Sequence, residues 1–333
     1  MSELVDTYGR AHCDLRVSLT DRCNLRCTYC MPNDFADWIP GDTLLTTDEM
    51  MLVLDVATSL GIDGVRLTGG EPLLRPDVVD IVRRINELPN APKISVTTNA
   101  LRLTALAKPL ADAGLQRVNV SLDTLDRERF AKLTYRDRFD DVLLGLKAAQ
   151  EAGLTPVKVN SVLMRGVNDD EAIALLDRAL DEGWSLRFIE QMPLDAGGVW
   201  KRTDMITADE IFAMLSEKYL LEAVPSRGSA PAEEFYVNGG PATVGIIASV
   251  TRPFCASCDR LRLTADGQLR NCLFARDELD LRAALRDESL NDERRRAEVE
   301  RRLKLVVHDK LPGHGINDIG FIQPDRPMSA IGG

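Results

Sequence analysis

Three cysteines stand in one short run, Cys23-Asn24-Leu25-Arg26-Cys27-Thr28-Tyr29-Cys30, and this CxxxCxxC spacing obliges the chain to close three thiolates around one small volume. Soft thiolates packed this closely suit an iron-sulfur cluster, and a four-iron cubane held by three cysteines keeps one iron open for a non-protein ligand. An open iron implies chemistry rather than electron storage. Zinc is the alternative, but structural zinc takes four protein ligands in paired spacings, and no histidine follows this run closely. The seven cysteines leave one unpaired, and the N-terminus carries no apolar secretory stretch, so disulfides are not expected.

A length of 333 residues admits one or two domains, and 44% hydrophobic residues are enough for a large core. A net charge of −11 argues against a nucleic-acid coat or a membrane-surface protein, whose affinity would come from basic patches. No stretch approaches the roughly 18 to 20 apolar residues of a membrane span, so a cytoplasmic protein is expected.

From Asp14 to about Met192, short β-branched runs alternate with helical patterns. The runs are Leu15 to Leu19, Gly64 to Thr68, Lys93 to Thr98, Arg117 to Leu122, Val157 to Leu163 and Leu186 to Gln191, which predict six strands of a parallel α/β sheet. Helix starts are signalled by Thr46-Thr47-Asp48-Glu49, by Pro76 after Arg75 and by Asn168 to Glu171. Residues two apart share a strand face, and one face is polar at Arg16 and Ser18, Arg66 and Thr68, Ser95 and Thr97, Asn119 and Ser121, Lys158 and Asn160, and Glu190 and Met192. Single pairs can be satisfied buried groups, but a polar face on successive strands predicts a cavity at their carboxyl ends.

After Pro193 the pattern changes to short apolar runs punctuated by Pro and Gly, such as Phe235 to Val237 and Thr243 to Ile247, which predict hairpins. Leu279 to Leu285 and Arg295 to Leu305 read as helices, with Asp292 to Arg296 as solvated surface. The expected division is a core over 1–195 and a second region over 196–333.

That second region holds Cys255-Ala256-Ser257-Cys258 and then Cys272. Between them, Arg260 to Arg270 reads as strand, Asp-Gly turn, strand, which would return Cys272 to the CxxC pair. Three thiolates fit a second open cluster, although His308 or His314 would complete a Cys3His zinc set. Cys13 is left as an inert buried thiol. Arg260 and Arg262 share a strand face beside these cysteines, where planar guanidiniums suit a phosphate chain; exposed surface arginines are the plainer alternative.

CxxxCxxC followed by Gly69-Gly70-Glu71-Pro72 at a strand end resembles the radical S-adenosylmethionine superfamily. The segment Pro253-Phe254-Cys255 through Cys258-Asp259-Arg260-Leu261-Arg262-Leu263-Thr264-Ala265-Asp266-Gly267, with the terminal Ile331-Gly332-Gly333, is similar to the GTP 3′,8-cyclase family within it, from about Leu15 onward. The resemblance implies a partial (β/α)6 TIM-like barrel with a C-terminal α+β region carrying a second cluster.

It further implies that Cys23, Cys27 and Cys30 hold the [4Fe-4S] cluster that cleaves S-adenosylmethionine, and that Cys255, Cys258 and Cys272 hold a second [4Fe-4S] cluster beside the substrate. Tyr29, Gly70, Ser121 and Met192 match cofactor-contacting positions, and Arg16, Arg66, Thr97, Lys158, Arg260, Leu261 and Arg262 match GTP-contacting ones. Arg260, Arg262 and the Gly332-Gly333 tail are implied to act in the active site, though terminal glycines also fray readily. The implied reaction removes hydrogen from ribose C3′ of GTP and joins C3′ to guanine C8, opening molybdenum cofactor biosynthesis. Implied partners are an electron donor such as flavodoxin or ferredoxin, cyclic pyranopterin monophosphate synthase as pathway neighbour, and a second copy in a homodimer; no nucleic acid or membrane is expected. Two other readings stand beside this one: a peptide-modifying radical enzyme, which would carry more auxiliary cysteines, and an iron-sulfur carrier, which would close its clusters with four thiolates.

Overall fold

The six β-branched runs form β1 (Asp14–Ser18), β2 (Gly64–Thr68), β3 (Lys93–Thr98), β4 (Arg117–Ser121), β5 (Lys158–Val162) and β6 (Ser185–Ile189), parallel and adjacent in chain order, in a computed structural model that describes residues 3–332. Helices such as Thr47–Ser59, Val78–Asn86, Leu103–Asp112, Phe139–Glu151 and Ala172–Glu182 intervene. The first starts where Thr46 signals it: Glu49 N–H donates to Thr46 Oγ1 at 3.2 Å, and Thr46 N–H donates to the Glu49 carboxylate at 2.7 Å. This reciprocal cap satisfies donors that an open helix end would strand.

The remaining strands are β7 (Leu221–Ala223), β8 (Glu233–Val237), β9 (Thr243–Ile247), β10 (Arg260–Leu263), β11 (Gln268–Arg270) and β12 (Leu279–Asp280). They build no sheet of their own. β9 adds parallel to β6 and β10 adds parallel to β1, so the C-terminal region extends both edges of one sheet, ordered β12-β11-β10-β1-β2-β3-β4-β5-β6-β9-β8-β7. The expected division near residue 195 falls in the connection between β6 and the helix Ala208–Ser216, while the sheet continues across it.

Alternation partitions the strands. Leu15, Val17, Val65, Leu67, Val118, Val120, Leu261 and Leu263 are buried in the apolar core, and the polar residues between them turn to the other face. The expected hairpins form at β8–β9 and β10–β11, the latter turning at Gly267 with φ +81°. One expectation is corrected: Leu279–Asp280 is a strand paired with β11, and only Arg282–Leu285 is helical. Leu279 packs against the core from that position, and the ladder to Leu269 overrides a weak helical pattern. The helix expected over Arg295 to Leu305 runs from Asp292 to His308, capped by the Asn291 side chain and burying Val299, Leu303, Val306 and Val307.

Candidate active site

The polar strand face opens into a cavity of about 340 Å³ at the carboxyl ends of the strands. The loop after β1 carries Cys23, Cys27 and Cys30, and the loop after β2 carries Gly69, Gly70 and Glu71. The two loops touch through backbone: Gly70 N–H donates to the Thr20 carbonyl and Glu71 N–H to the Arg22 carbonyl, each at 2.7 Å. A Cβ on Gly70 would lie 2.3 Å from the Asp21 carbonyl oxygen, so this approach requires glycine.

Glu71 then anchors the junction. It accepts from Leu73 N–H at 3.0 Å, Thr98 Oγ1 at 2.7 Å and Asn99 N–H at 2.7 Å, while burial pushes its carboxyl up to about 7. Asn99 in turn donates to Asn24 Oδ1 at 2.7 Å, holding the cysteine loop. Tyr29 hydroxyl donates to Asp123 Oδ2 at 2.8 Å, and burial raises Asp123 to about 6. Burial also pushes Cys23 up to about 11, Cys30 up to about 12 and Cys27 well above the ordinary thiol value. Such thiols become thiolates only with a compensating metal, and donors are already aimed at them: Leu25 N–H lies 3.4 Å from Cys23 Sγ, and Ser329 backbone favours the Cys30 thiolate.

Cys255, Cys258 and Cys272 line the same cavity. The first two sit on either side of one tight turn, and the β10–β11 hairpin returns Cys272 to them. Among the described residues no three Cys, His, Asp or Glu side chains converge on a single ion. His308 is exposed and pairs with Asp309. His314 lines the cavity, but its Nδ1 accepts from Ile316 N–H at 3.2 Å and its ring packs on Phe274 at 4.7 Å. Cys13 hydrogen-bonds Asp259, and burial together with that carboxylate pushes its thiol up to about 12.

Cations are concentrated in one part of the lining. Arg16, Arg66, Arg187, Arg260 and Arg262 all face the cavity. Buried Nε atoms of Arg16, Arg187 and Arg260, and Nη2 of Arg260, have no hydrogen-bond partner. The Arg260 guanidinium stacks 4.4 Å from the Phe254 ring centre. Burial and mutual repulsion depress Arg16 and Arg66, bring Arg262 down to about 10, and bring Lys158 down to about 8. Carboxylates stand near some of them, Asp14 by Arg16, Glu234 by Arg187 and Asp259 by Arg260, and the donors left over on these crowded cations suit an anionic ligand.

Of the sequence-predicted residues, Tyr29, Gly70, Thr97, Ser121, Met192, the arginines and all six cysteines line this cavity. Lys158 lies beneath it, paired in register with Asn119 and Ser185. Leu261 points the other way, into the apolar core beside Leu15. Gly332 does not itself line the cavity but packs against the lining residue Thr68, with φ +87° and its Cβ direction only 2.6 Å from Thr68 Oγ1; Gly333 lies outside the described residues. Sequence reasoning missed Arg187, whose position opposite Gly245 is the signal: a Cβ on Gly245 would meet Arg187 Cγ at 3.0 Å.

A cysteine loop after the first strand, seated on a Gly-Gly-Glu loop after the second, defines a radical S-adenosylmethionine enzyme, and the Radical SAM superfamily model matches residues 17–179. The Molybdenum Cofactor Synthesis C family matches residues 184–316. A GTP 3′,8-cyclase of Streptomyces coelicolor is 59% identical over 99% of this chain and 96% of its own length, and one of Mycobacterium sp. strain KMS is 55% identical over 99% and 93%. The chain belongs to the GTP 3′,8-cyclase family. Streptococcus suis SuiB, solved with S-adenosylmethionine, shares the fold at a TM-score of 0.60 and 15% identity over 93% of this chain, which spans 66% of SuiB. Membership brings S-adenosylmethionine and one 4Fe-4S cluster, which the Cys23, Cys27 and Cys30 site fits. Among the described residues no helix is long and apolar enough to cross a membrane.

Proposed function

We infer that this chain converts GTP to (8S)-3′,8-cyclo-7,8-dihydroguanosine 5′-triphosphate, the first step of molybdenum cofactor biosynthesis. The observation that carries the reading is that both cysteine trios and the buried arginines line one cavity. Bound S-adenosylmethionine and its cluster supply one-electron cleavage, which yields a hydrogen-abstracting radical.

The chain's own residues bind, orient and shield. Cys23, Cys27 and Cys30 hold the cleaving cluster, and Tyr29, Gly70, Ser121 and Met192 take the cofactor. Arg16, Arg66, Lys158, Arg260 and Arg262 take the triphosphate and ribose, with Thr97 and the Leu261 backbone beside them. None of these cations needs to move a proton; their work is to fix ribose C3′ within reach. Met31, Ile189, Leu194 and Ile247 keep the chamber dry. The concentrated cationic lining offsets the repulsion between a triphosphate and a chain at −11.

Cys255, Cys258 and Cys272 are proposed to hold a second [4Fe-4S] cluster, which would bind on the substrate side of the cavity. The hydrogen-bonded ring of His314 and the exposure of His308 favour it over a Cys3His zinc. A cubane spreads its thiolates over different irons, which agrees with thiols that share a cavity without converging on one ion. Arg262, bonded to the Gly332 carbonyl, is proposed to act beside the substrate, and the family relationship alone supports a role for Gly333. The family relationship alone supports a flavodoxin or ferredoxin as reductant, cyclic pyranopterin monophosphate synthase as the enzyme that takes the product, a homodimer, and a cytoplasmic address.

The test is anaerobic turnover of reconstituted, reduced protein with S-adenosylmethionine and GTP. The reading expects 5′-deoxyadenosine together with a cyclised nucleotide; cofactor cleavage indifferent to GTP would overturn it.

A further inference from the structure

The second cysteine trio has a cationic neighbour that nucleotide binding does not employ. Lys310 follows the helix Asp292–His308 and turns inward until only 4% of the residue is exposed. Its Nζ donates to the Arg260 carbonyl oxygen at 2.7 Å and to Cys258 Sγ at 3.5 Å. Among the described residues no carboxylate forms an ion pair with it, and the sulfur it reaches is Cys258 Sγ, in the turn shared with Cys255 of the second trio. Unlike the arginines, Lys310 does not line the cavity.

A buried ammonium persists where an anion compensates its lost hydration. Here the compensating group is a cysteine sulfur. The contact is held from behind by the N-terminal turn: Arg10 donates to the Cys255 carbonyl at 2.7 Å and to the Leu311 carbonyl at 2.8 Å, and pairs with Asp6 at 2.5 Å. Arg10 therefore ties the CxxC turn to the segment that carries Lys310.

We propose that Lys310 is the counter-cation of the second cluster, a positioning residue whose ammonium bonds Cys258 Sγ and raises that cluster's reduction potential. This rests on reading Cys255, Cys258 and Cys272 as ligands of a [4Fe-4S] cluster. One-electron reduction adds negative charge to a centre already surrounded by thiolates, so a cation in contact with a ligand sulfur favours the reduced form. Hydrogen bonds to cluster sulfurs act in the same direction.

The experiment is a potentiometric titration of the full-length reconstituted protein, followed by electron paramagnetic resonance. The first cluster is recognised by its response to added S-adenosylmethionine. Lys310→Met and Lys310→Gln should keep about eight irons per chain, as two cubanes require. In both, the oxidised-to-reduced ratio of the second cluster at fixed potential should rise at least tenfold, a downward shift of about 59 mV for one electron. Lys310→Arg should stay near the wild type. An unchanged potential in both neutral variants overturns the proposal, and so does loss of the second cluster from both, which would make Lys310 an assembly residue. Wild-type protein with about four irons and a zinc would instead defeat the underlying cluster reading, a result distinguishable because no substitution is involved.

Discussion

The Arg262 guanidinium donates to the Gly332 carbonyl oxygen at 2.7 Å, joining the strand beside the second cysteine trio to the last turn of the chain. The same tail segment places Met328 and Ser329 in the cavity wall. Gly332 has φ +87°, and its Cβ direction points at Thr68 Oγ1 and at Ser18 Cβ, 2.6 and 3.0 Å away. No side chain fits there without displacing the tail.

Gly332→Ala should therefore cost on the order of 1–3 kcal/mol at this position through left-handed strain and contact. The expected outcome is a ten- to hundredfold fall in kcat/KM for GTP with unchanged iron content. Residues appended after Gly333 should impair cyclisation in the same way, measured as product formed per chain.

Arg260 projects a buried, partly unpartnered guanidinium into the cavity. A charge-assisted hydrogen bond is worth about 1.5–3 kcal/mol, so Arg260→Met should weaken GTP binding roughly ten- to hundredfold. Equilibrium binding under anaerobic conditions checks this, with iron analysis confirming intact clusters. Equal affinity in the variant would remove Arg260 from the nucleotide site.

Burial, then the like charges of Arg187 and Arg117, hold Lys158 down to about 8. A bound triphosphate favours the protonated amine, so binding takes up a proton once the free site has lost it. GTP affinity should be flat below pH 8 and fall above it, by up to about tenfold per pH unit until the bound amine also titrates. Lys158→Met should bind more weakly at pH 7 and lose this dependence. Binding isotherms between pH 7 and pH 9.5 measure both effects.

Arg326 grips Asp266 with both terminal nitrogens, at 3.0 and 2.8 Å, and Glu278 with Nε at 2.8 Å. Asp266 lies at the tip of the hairpin that carries Arg260 and Arg262, so this fork fixes the tail to the hairpin. Arg326→Ala should raise amide hydrogen exchange across 323–332 and increase KM for GTP, while S-adenosylmethionine binding is unchanged.

Much of this site was legible because periodicity and spacing are local. Period-2 alternation put Arg16, Arg66, Thr97 and Ser121 on the cavity face, and the Asp-Gly turn brought Cys272 back to Cys255 and Cys258. Arg187 escaped because the sixth strand stops at Ile189; Glu190 and Met192 reach the cavity from beyond its end, so their parity differs from that of Arg187. Leu261 illustrates the converse: its neighbours face the cavity, and alternation turns its side chain into the core. Lys310 and Arg326 carried no sequence signal, because their partners lie about fifty and sixty residues away and only the assembled sheet brings them together.

The most direct measurement follows the fate of hydrogen on the ribose. GTP deuterated at C3′ is incubated with reduced enzyme and S-adenosylmethionine, and 5′-deoxyadenosine is analysed by mass spectrometry. Deuterium carried into 5′-deoxyadenosine in step with cyclised nucleotide is the predicted result. Unlabelled 5′-deoxyadenosine, formed while GTP is recovered intact, would contradict a chamber that holds ribose C3′ against the cleaved cofactor.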